Sequence, residues 1–339
     1  MSLSVDIEKK LGAFHLRSQF EAPDETMALL GASGCGKSMT LKCIAGIVTP
    51  DRGRIVLGGR VLFDSEKKIN LPPQQRRVGY LFQQYALFPN MSVEQNILCG
   101  IRSGDKAEKR RVLAEKIRMF RLEGLEKKHP AQLSGGQQQL ARILCSEPEA
   151  ILLDEPFSAL DSYLKWNLEI ELADLLATFN GPILWVSHDR DECYRNCRSV
   201  CVMEDGRTGE VTPMDEMIRH PGSVSAARLA GCKNFFAAEE RDGKVYLPEW
   251  NVALPLAGME NTFTTIGIPD NAVTMSENGA MSCTVCRVIL GVEENILLLR
   301  PEGSAEGAPM LRITVGHESD LQAGAAVRVA LDYNKLLLL

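Results

Sequence analysis

The sequence predicts an α/β chain in two parts: a mainly parallel sheet carrying helices over residues 1–232, then a small β-barrel-like domain over 233–339. Three observations lead there. Apolar strand-like runs alternate with helical periodicity through the first 230 residues, the pattern of a parallel sheet with crossover helices. A glycine-rich loop sits between one such strand and one such helix. Beyond about residue 235 the helical period fades, and short strands separated by Gly, Pro and Asn take over, as in small barrels and sandwiches.

Taken in order, residues 3–20 read as a β-hairpin turning near 10–12. Strand-like runs follow at 26–30, 150–154, 182–187 and 200–203, and helical periodicity at 38–47, 107–120, 163–179 and 189–197. The second part reads as strands at 244–247, 263–268, 283–290, 295–299, 310–315 and 326–331, with the boundary at 231–236.

Composition excludes several classes. The 339 residues are 45% hydrophobic and 24% charged, globular values that rule out disorder over most of the chain. A net charge of −6 gives no support to nucleic-acid binding through a basic surface. No apolar run approaches the roughly 18 residues of a membrane helix. The first ten residues alternate polar and apolar and include Asp6 and Glu8, unlike a secretory leader, so an intracellular protein is expected. Of the 10 cysteines, Cys283 and Cys286 fall on opposite faces of a period-two strand, poor geometry for one zinc. Cys193, Cys197 and Cys201 are four apart, but the helix should end between the last two. Reduced, partly buried thiols are expected.

Gly31-Ala32-Ser33-Gly34-Cys35-Gly36-Lys37-Ser38 fits GxxxxGK[ST] in the strand–loop–helix setting that makes it a phosphate cradle. The glycines let backbone N–H groups turn inward, and the helix start adds its positive dipole end. The expected nucleotide-binding run is 31–39, ending at Met39, with Lys37 reaching the β- and γ-phosphates and Ser38 a ligand of Mg²⁺. The apolar strand 150–153 ends in Asp154 and Glu155. An Asp at the end of a neighbouring parallel strand suits a Mg²⁺ site, and Glu155 is placed to orient or deprotonate an attacking water. Leu133-Ser134-Gly135-Gly136-Gln137 offers a hydroxyl and backbone donors, a second anion-binding nest. Two nests on one chain can both be used if two copies pair head to tail around nucleotide.

With these motifs the sequence resembles the ATP-binding subunits of ABC transporters over about residues 3–232. Gln83 in Leu81-Phe82-Gln83-Gln84-Tyr85, the run Ser158-Ala159-Leu160-Asp161 and Val186-Ser187-His188-Asp189 complete the likeness. The resemblance implies a helical subdomain, ATP with Mg²⁺, and a homodimer in which Ser134 and Gly136 reach the partner's nucleotide. It gives Gln83 contact with Mg²⁺, water and the membrane partner, Asp161 a place at the dimer interface, His188 the γ-phosphate and Phe14 the adenine. The stretch from Tyr85 to Val93 and the β-rich extension resemble importers. Residues 53–83 are similar to molybdate-importer ATPase subunits, and 283–339 to their oxyanion-related regulatory module. This implies membrane permease subunits, a solute-binding protein beyond them, and a place on the cytoplasmic face of the cell membrane. Importers of sulfate, tungstate, sugars or polyamines, and a regulatory anion-binding protein with impaired ATPase, are the alternatives. A nucleic-acid-directed ATPase of this family would need a long coiled-coil insertion, tandem ATPase domains or a basic surface, and the interval between Lys37 and Ser134 leaves no room for an inserted arm.

One departure stands out. After Gln139 the family's Arg-Val-Ala is missing before Leu140-Ala141-Arg142. Three residues amount to about 300° of helix rotation and about 4.5 Å of rise. Either residues 146–149 absorb the shift, or the Ser134 loop moves away from the partner's nucleotide.

Overall fold

The computed structural model describes residues 1–81, 88–101, 105–119, 122–133, 148–158, 162–255, 263–317 and 321–339. The chain forms two compact units, Met1–Asp215 and Glu216–Leu339. Within the second unit the short helix Val224–Leu229 packs on the strand Thr265–Ile268.

The first unit begins with the hairpin β1 (Leu3–Leu11) and β2 (Phe14–Ala22), paired from Leu3↔Ala22 to Leu11↔Phe14. Alternate residues Leu3, Val5 and Ile7 are buried, so period two set its register. β3 (Thr26–Gly31) leads through the glycine-rich loop into α1 (Lys37–Ala45). α1 ends two residues before the expected 47 because Gly46 takes the left-handed conformation, φ 80°, and its N–H returns to the Cys43 carbonyl. β4 (Arg52–Leu57), β5 (Arg60–Asp64), β6 (Ile69–Asn70), α2 (Pro73–Arg76) and β7 (Val78–Leu81) follow. α3 (Val93–Gly100), started by the Ser92–Gln95 capping box, packs on α4 (Lys106–Met119). Then come β8 (Ala150–Asp154), α5 (Ser162–Leu176), β9 (Ile183–Ser187), α6 (Arg190–Asn196), β10 (Ser199–Glu204) and β11 (Arg207–Pro213).

Among the described residues these strands form one 11-stranded sheet, in the order β6-β5-β4-β1-β2-β11-β10-β3-β9-β8-β7. The run β10-β3-β9-β8-β7 is parallel, and β6-β5-β4-β1-β2 is antiparallel. β8 and β9 are buried along their whole lengths, as strands covered on both faces should be. The parallel order matters for function: it brings the carboxyl ends of β3, β9 and β8 side by side.

The second unit holds a core around Trp250, which is fully buried 4.0 Å from the Phe236 ring centroid and donates to the Pro309 carbonyl at 2.8 Å. Its largest sheet has five antiparallel strands and is nearly closed, barrel-like, with Met281–Ile289 at its centre. Cys283 is buried on that central strand and Cys286 half-buried, beside a register shift between Val285 and Arg287. Among the described residues no helix is long and apolar enough to cross a membrane.

Candidate nucleotide-binding site

The loop from Gly31 to Ser38 is shaped by close approaches only glycine allows. A Cβ on Gly31 would stand 2.2 Å from the Met203 carbonyl oxygen of β10. Gly36, at φ 112°, lies against Leu16, Met203 and the Phe14 ring. Gly34 is also left-handed, at φ 82°. Ala32, Ser33 and Gly34 are exposed at the loop's crest, Cys35 is buried beneath it, and Met39 packs on the core behind. Gly206, in the turn after β10, donates to the Cys35 carbonyl at 3.1 Å and pins the loop from the side. The first turn of α1 points N–H groups without intrahelical acceptors at this loop.

Lys37 is buried, its Nζ donating to the carbonyls of Gly31 at 2.7 Å and Ala32 at 2.9 Å. Its ammonium therefore lies inside the ring of loop atoms. Ser38 Oγ donates to Asp154 Oδ1 at 2.7 Å, joining the start of α1 to the end of β8. Asp154 is only 5% exposed, and its other oxygen accepts from the Tyr80 hydroxyl of β7 at 2.7 Å. Burial, with the hydrogen bond to Asp154, pushes the Tyr80 phenol far up, so it stays a proton donor. A hydroxyl beside a carboxylate is a pair of hard oxygen donors, which fits Mg²⁺.

Glu155 follows at once, and its backbone is left-handed at φ 47°, rare for a non-glycine residue and typical of functional turns. Its N–H donates to the Val186 carbonyl at 2.9 Å, which carries it across to β9. There His188 Nδ1 lies 3.5 Å from Glu155 Oε1, with the imidazole largely exposed. The parallel order β3-β9-β8 therefore gathers Lys37, Ser38, Asp154, Glu155 and His188 at one end of the sheet. Phe14 is half-buried and packs on the hydrophobic core, its ring edge against Gly36 and Gly206. Gln83, Ser134, Gly136 and Asp161 lie outside the described residues, as does the shortened segment after Gln139.

Sequence reasoning missed two residues of this region. Tyr80 sits in a four-residue strand with no periodic signal. Arg76, fully buried, gives all its hydrogen bonds to the carbonyls of Leu71, Cys43 and Ile44 and to Asn70 Oδ1, closing the far end of α1. Burial lowers its affinity for its proton. A Gln-Gln-Arg-Arg run in the sequence shows nothing of that.

The ABC transporter family pattern matches residues 19–158. The molybdenum import ATP-binding protein of Paramagnetospirillum magneticum is 37% identical over 223 residues, covering 65% of this chain and 61% of that protein. The sulfate/thiosulfate import ATP-binding protein of Methylococcus capsulatus is 36% identical over 268 residues, 75% of each. Among solved structures, the dimeric ATP-binding cassette MJ0796, in a post-hydrolysis state bound to ADP and phosphate, matches with a TM-score of 0.51 and 25% identity. It covers 63% of this chain and 99% of that one. The chain thus spans about three fifths of the length of the molybdenum relative. With a family pattern running from the hairpin through the Asp154–Glu155 turn, and a relative matched over three quarters of its own length, this chain belongs to the ABC transporter family.

Proposed function

We propose that this chain is the ATP-hydrolysing subunit of an ABC importer, working as a homodimer beneath membrane permease subunits on the cytoplasmic face of the cell membrane. The observation that carries the reading is the 2.7 Å link between Ser38 and Asp154, with Glu155 and His188 paired at 3.5 Å beside it. The loop amides and Lys37 bind the nucleotide's phosphates. Ser38 and Asp154 would hold Mg²⁺, which when bound would neutralise phosphate charge. Glu155 takes the proton of the attacking water. His188 steadies the Glu155 carboxylate and faces the γ-phosphate. Gln83, Ser134, Gly136 and Asp161 complete the site from the permease side and from the partner subunit, and Phe14 borders the adenine.

For the solute, molybdate or a related oxyanion is the reading we favour, supported by the molybdenum relative and by the likeness of residues 53–83. Relatives named for sulfate/thiosulfate, spermidine/putrescine and iron match at 36%, 36% and 34% identity, so those solutes are the competitors. Solute choice rests with partner chains.

Steady-state Mg-ATP hydrolysis tests the enzymatic half. Wild type should turn over, Lys37→Ala should lose nucleotide binding, and Glu155→Gln should bind ATP yet fall by about 10²-fold or more in kcat. Equal rates in wild type and Glu155→Gln would remove Glu155 from the chemistry. Uptake into vesicles carrying the permease and binding protein, with molybdate, sulfate and putrescine in competition, tests the solute.

A further inference from the structure

Behind the Glu155–His188 pair runs a circuit of polar contacts that the hydrolysis scheme does not use. Lys165, in the first turn of α5, places Nζ 2.5 Å from Asp189 Oδ2 and 2.9 Å from Glu192 Oε2. Asp189 Oδ1 accepts the N–H groups of Asp191 and Glu192, so the same carboxylate starts α6. The Asp189 N–H donates to Ser187 Oγ at 3.0 Å. Glu192, nearly fully buried, accepts from Trp185 Nε1 at 2.7 Å, and the Trp185 ring stands 5.8 Å from that of Phe157, two residues past Glu155. These contacts therefore run from the turn after β8 through β9 and α6 to α5, and His188 lies in the chain between two of their members, Ser187 and Asp189.

The charges make Lys165 the keystone. Two carboxylates, Asp189 and Glu192, share its single ammonium. The neighbouring charged groups are already paired: Arg195 with Glu169, and Arg190 with Asp191. Burial alone would push the Asp189 carboxyl up, but Lys165 and the α6 amides outweigh it and hold it below the usual range. Glu192 is buried while Lys165 and Asp189 are partly exposed, so removing Lys165 leaves the buried Glu192 carboxylate uncompensated, which the structure relieves by moving. The turn that carries His188 lies between two groups of this set, Ser187 and Asp189, so a shift of Asp189 reaches it directly.

We propose that Lys165 is a positioning residue for the Glu155–His188 pair: by clamping Asp189 and Glu192 it fixes the backbone on the far side of His188 and ties the start of α5 to that turn. The proposal rests on the hydrolytic reading above. Lys165 makes no described contact with residues 31–39, so it should act on turnover and not on nucleotide affinity.

The test compares the full-length wild type with Lys165→Met and Lys165→Arg. Lys165→Met should lower kcat on the order of tenfold to a hundredfold, the scale for a displaced catalytic group, with KM for Mg-ATP within about threefold of wild type. Lys165→Arg, whose fork can bridge two carboxylates, should recover most of the turnover. A kcat unchanged in Lys165→Met, or an equal loss in both variants, overturns the proposal. A second readout needs no hydrolysis: the His188 imidazole signal by NMR, assigned with His188→Gln. It should shift and broaden in Lys165→Met and return in Lys165→Arg. If wild type hydrolyses ATP and the signal stays put in Lys165→Met, only the Lys165 proposal fails. If wild type is inert, the hydrolytic reading fails, and the NMR comparison alone decides whether Lys165 positions His188.

Discussion

Gly31→Ala should cripple the first unit by contact, not by backbone torsion. Gly31 ends β3 and pairs with Met203 of β10, and a Cβ there would meet the Met203 carbonyl oxygen at 2.2 Å and its carbon at 3.2 Å. Ordinary contact begins near 3.4 Å, so β10 would have to retreat by about 1.2 Å from a strand to which it is laddered. The Cys35 sulfur, 2.7 Å away, can swing aside, but a carbonyl held in a sheet cannot. Overpacking of that kind costs about 3 kcal/mol, the upper end of the usual range. Gly34→Ala is the control: nothing lies within 4 Å of its Cβ, and φ 82° leaves only a left-handed penalty of about 1 kcal/mol. Urea unfolding followed by tryptophan fluorescence separates the units, since Trp185 belongs to the first and Trp250 to the second. Gly31→Ala should move only the first unit's transition and weaken Mg-ATP binding. An unfolding free energy within about 1 kcal/mol of the Gly34→Ala value would refute the steric argument.

Arg76→Met should lower the first unit's unfolding free energy by about 3 kcal/mol, because it strips the donors from carbonyls at the end of α1; Arg76→Lys should recover only part, and urea midpoints read both. Asp189 is held below its unfolded pKa, so its contribution is full above about pH 4 and fades as pH falls through the lower folded value. Acid titration of stability should therefore show a shallower acid limb in Lys165→Met than in wild type. Burial pushes the Cys43 thiol up to about 11, Cys201 to about 12 and Cys283 to about 11, whereas Cys99 is exposed. Iodoacetamide at pH 8, read by peptide mass spectrometry, should mark Cys99 first and those three only after unfolding.

The hairpin, the loop 31–38 and the strand ending in Asp154 and Glu155 were legible in the sequence because each is a local device. A period of two sets the hairpin's faces, glycines permit one backbone shape, and an apolar run ending in acids marks a buried strand reaching its rim. Four strands of the second unit's five-stranded sheet, Met281–Ile289, Asn295–Pro301, Leu311–Val315 and Ala326–Leu331, were legible for the same reason, whereas the three-residue Val273–Met275 was not. β4, β5, β7 and β11 were not, since their burial alternates weakly or runs too short to separate from loop.

What the sequence determined by itself is the set of groups on offer: a glycine-rich loop with its lysine, a serine hydroxyl, two adjacent carboxylates and a histidine. Only the tertiary structure decided which of them meet. The order β3-β9-β8 sets Ser38 on Asp154 and Glu155 near His188. It also puts Tyr80 on the second oxygen of Asp154, Arg76 under the end of α1, and Lys165 behind the histidine turn. These partners are far apart in the chain. Their pairing follows from strand order and from the demand that buried polar groups find partners, and neither is written in the spacing of residues.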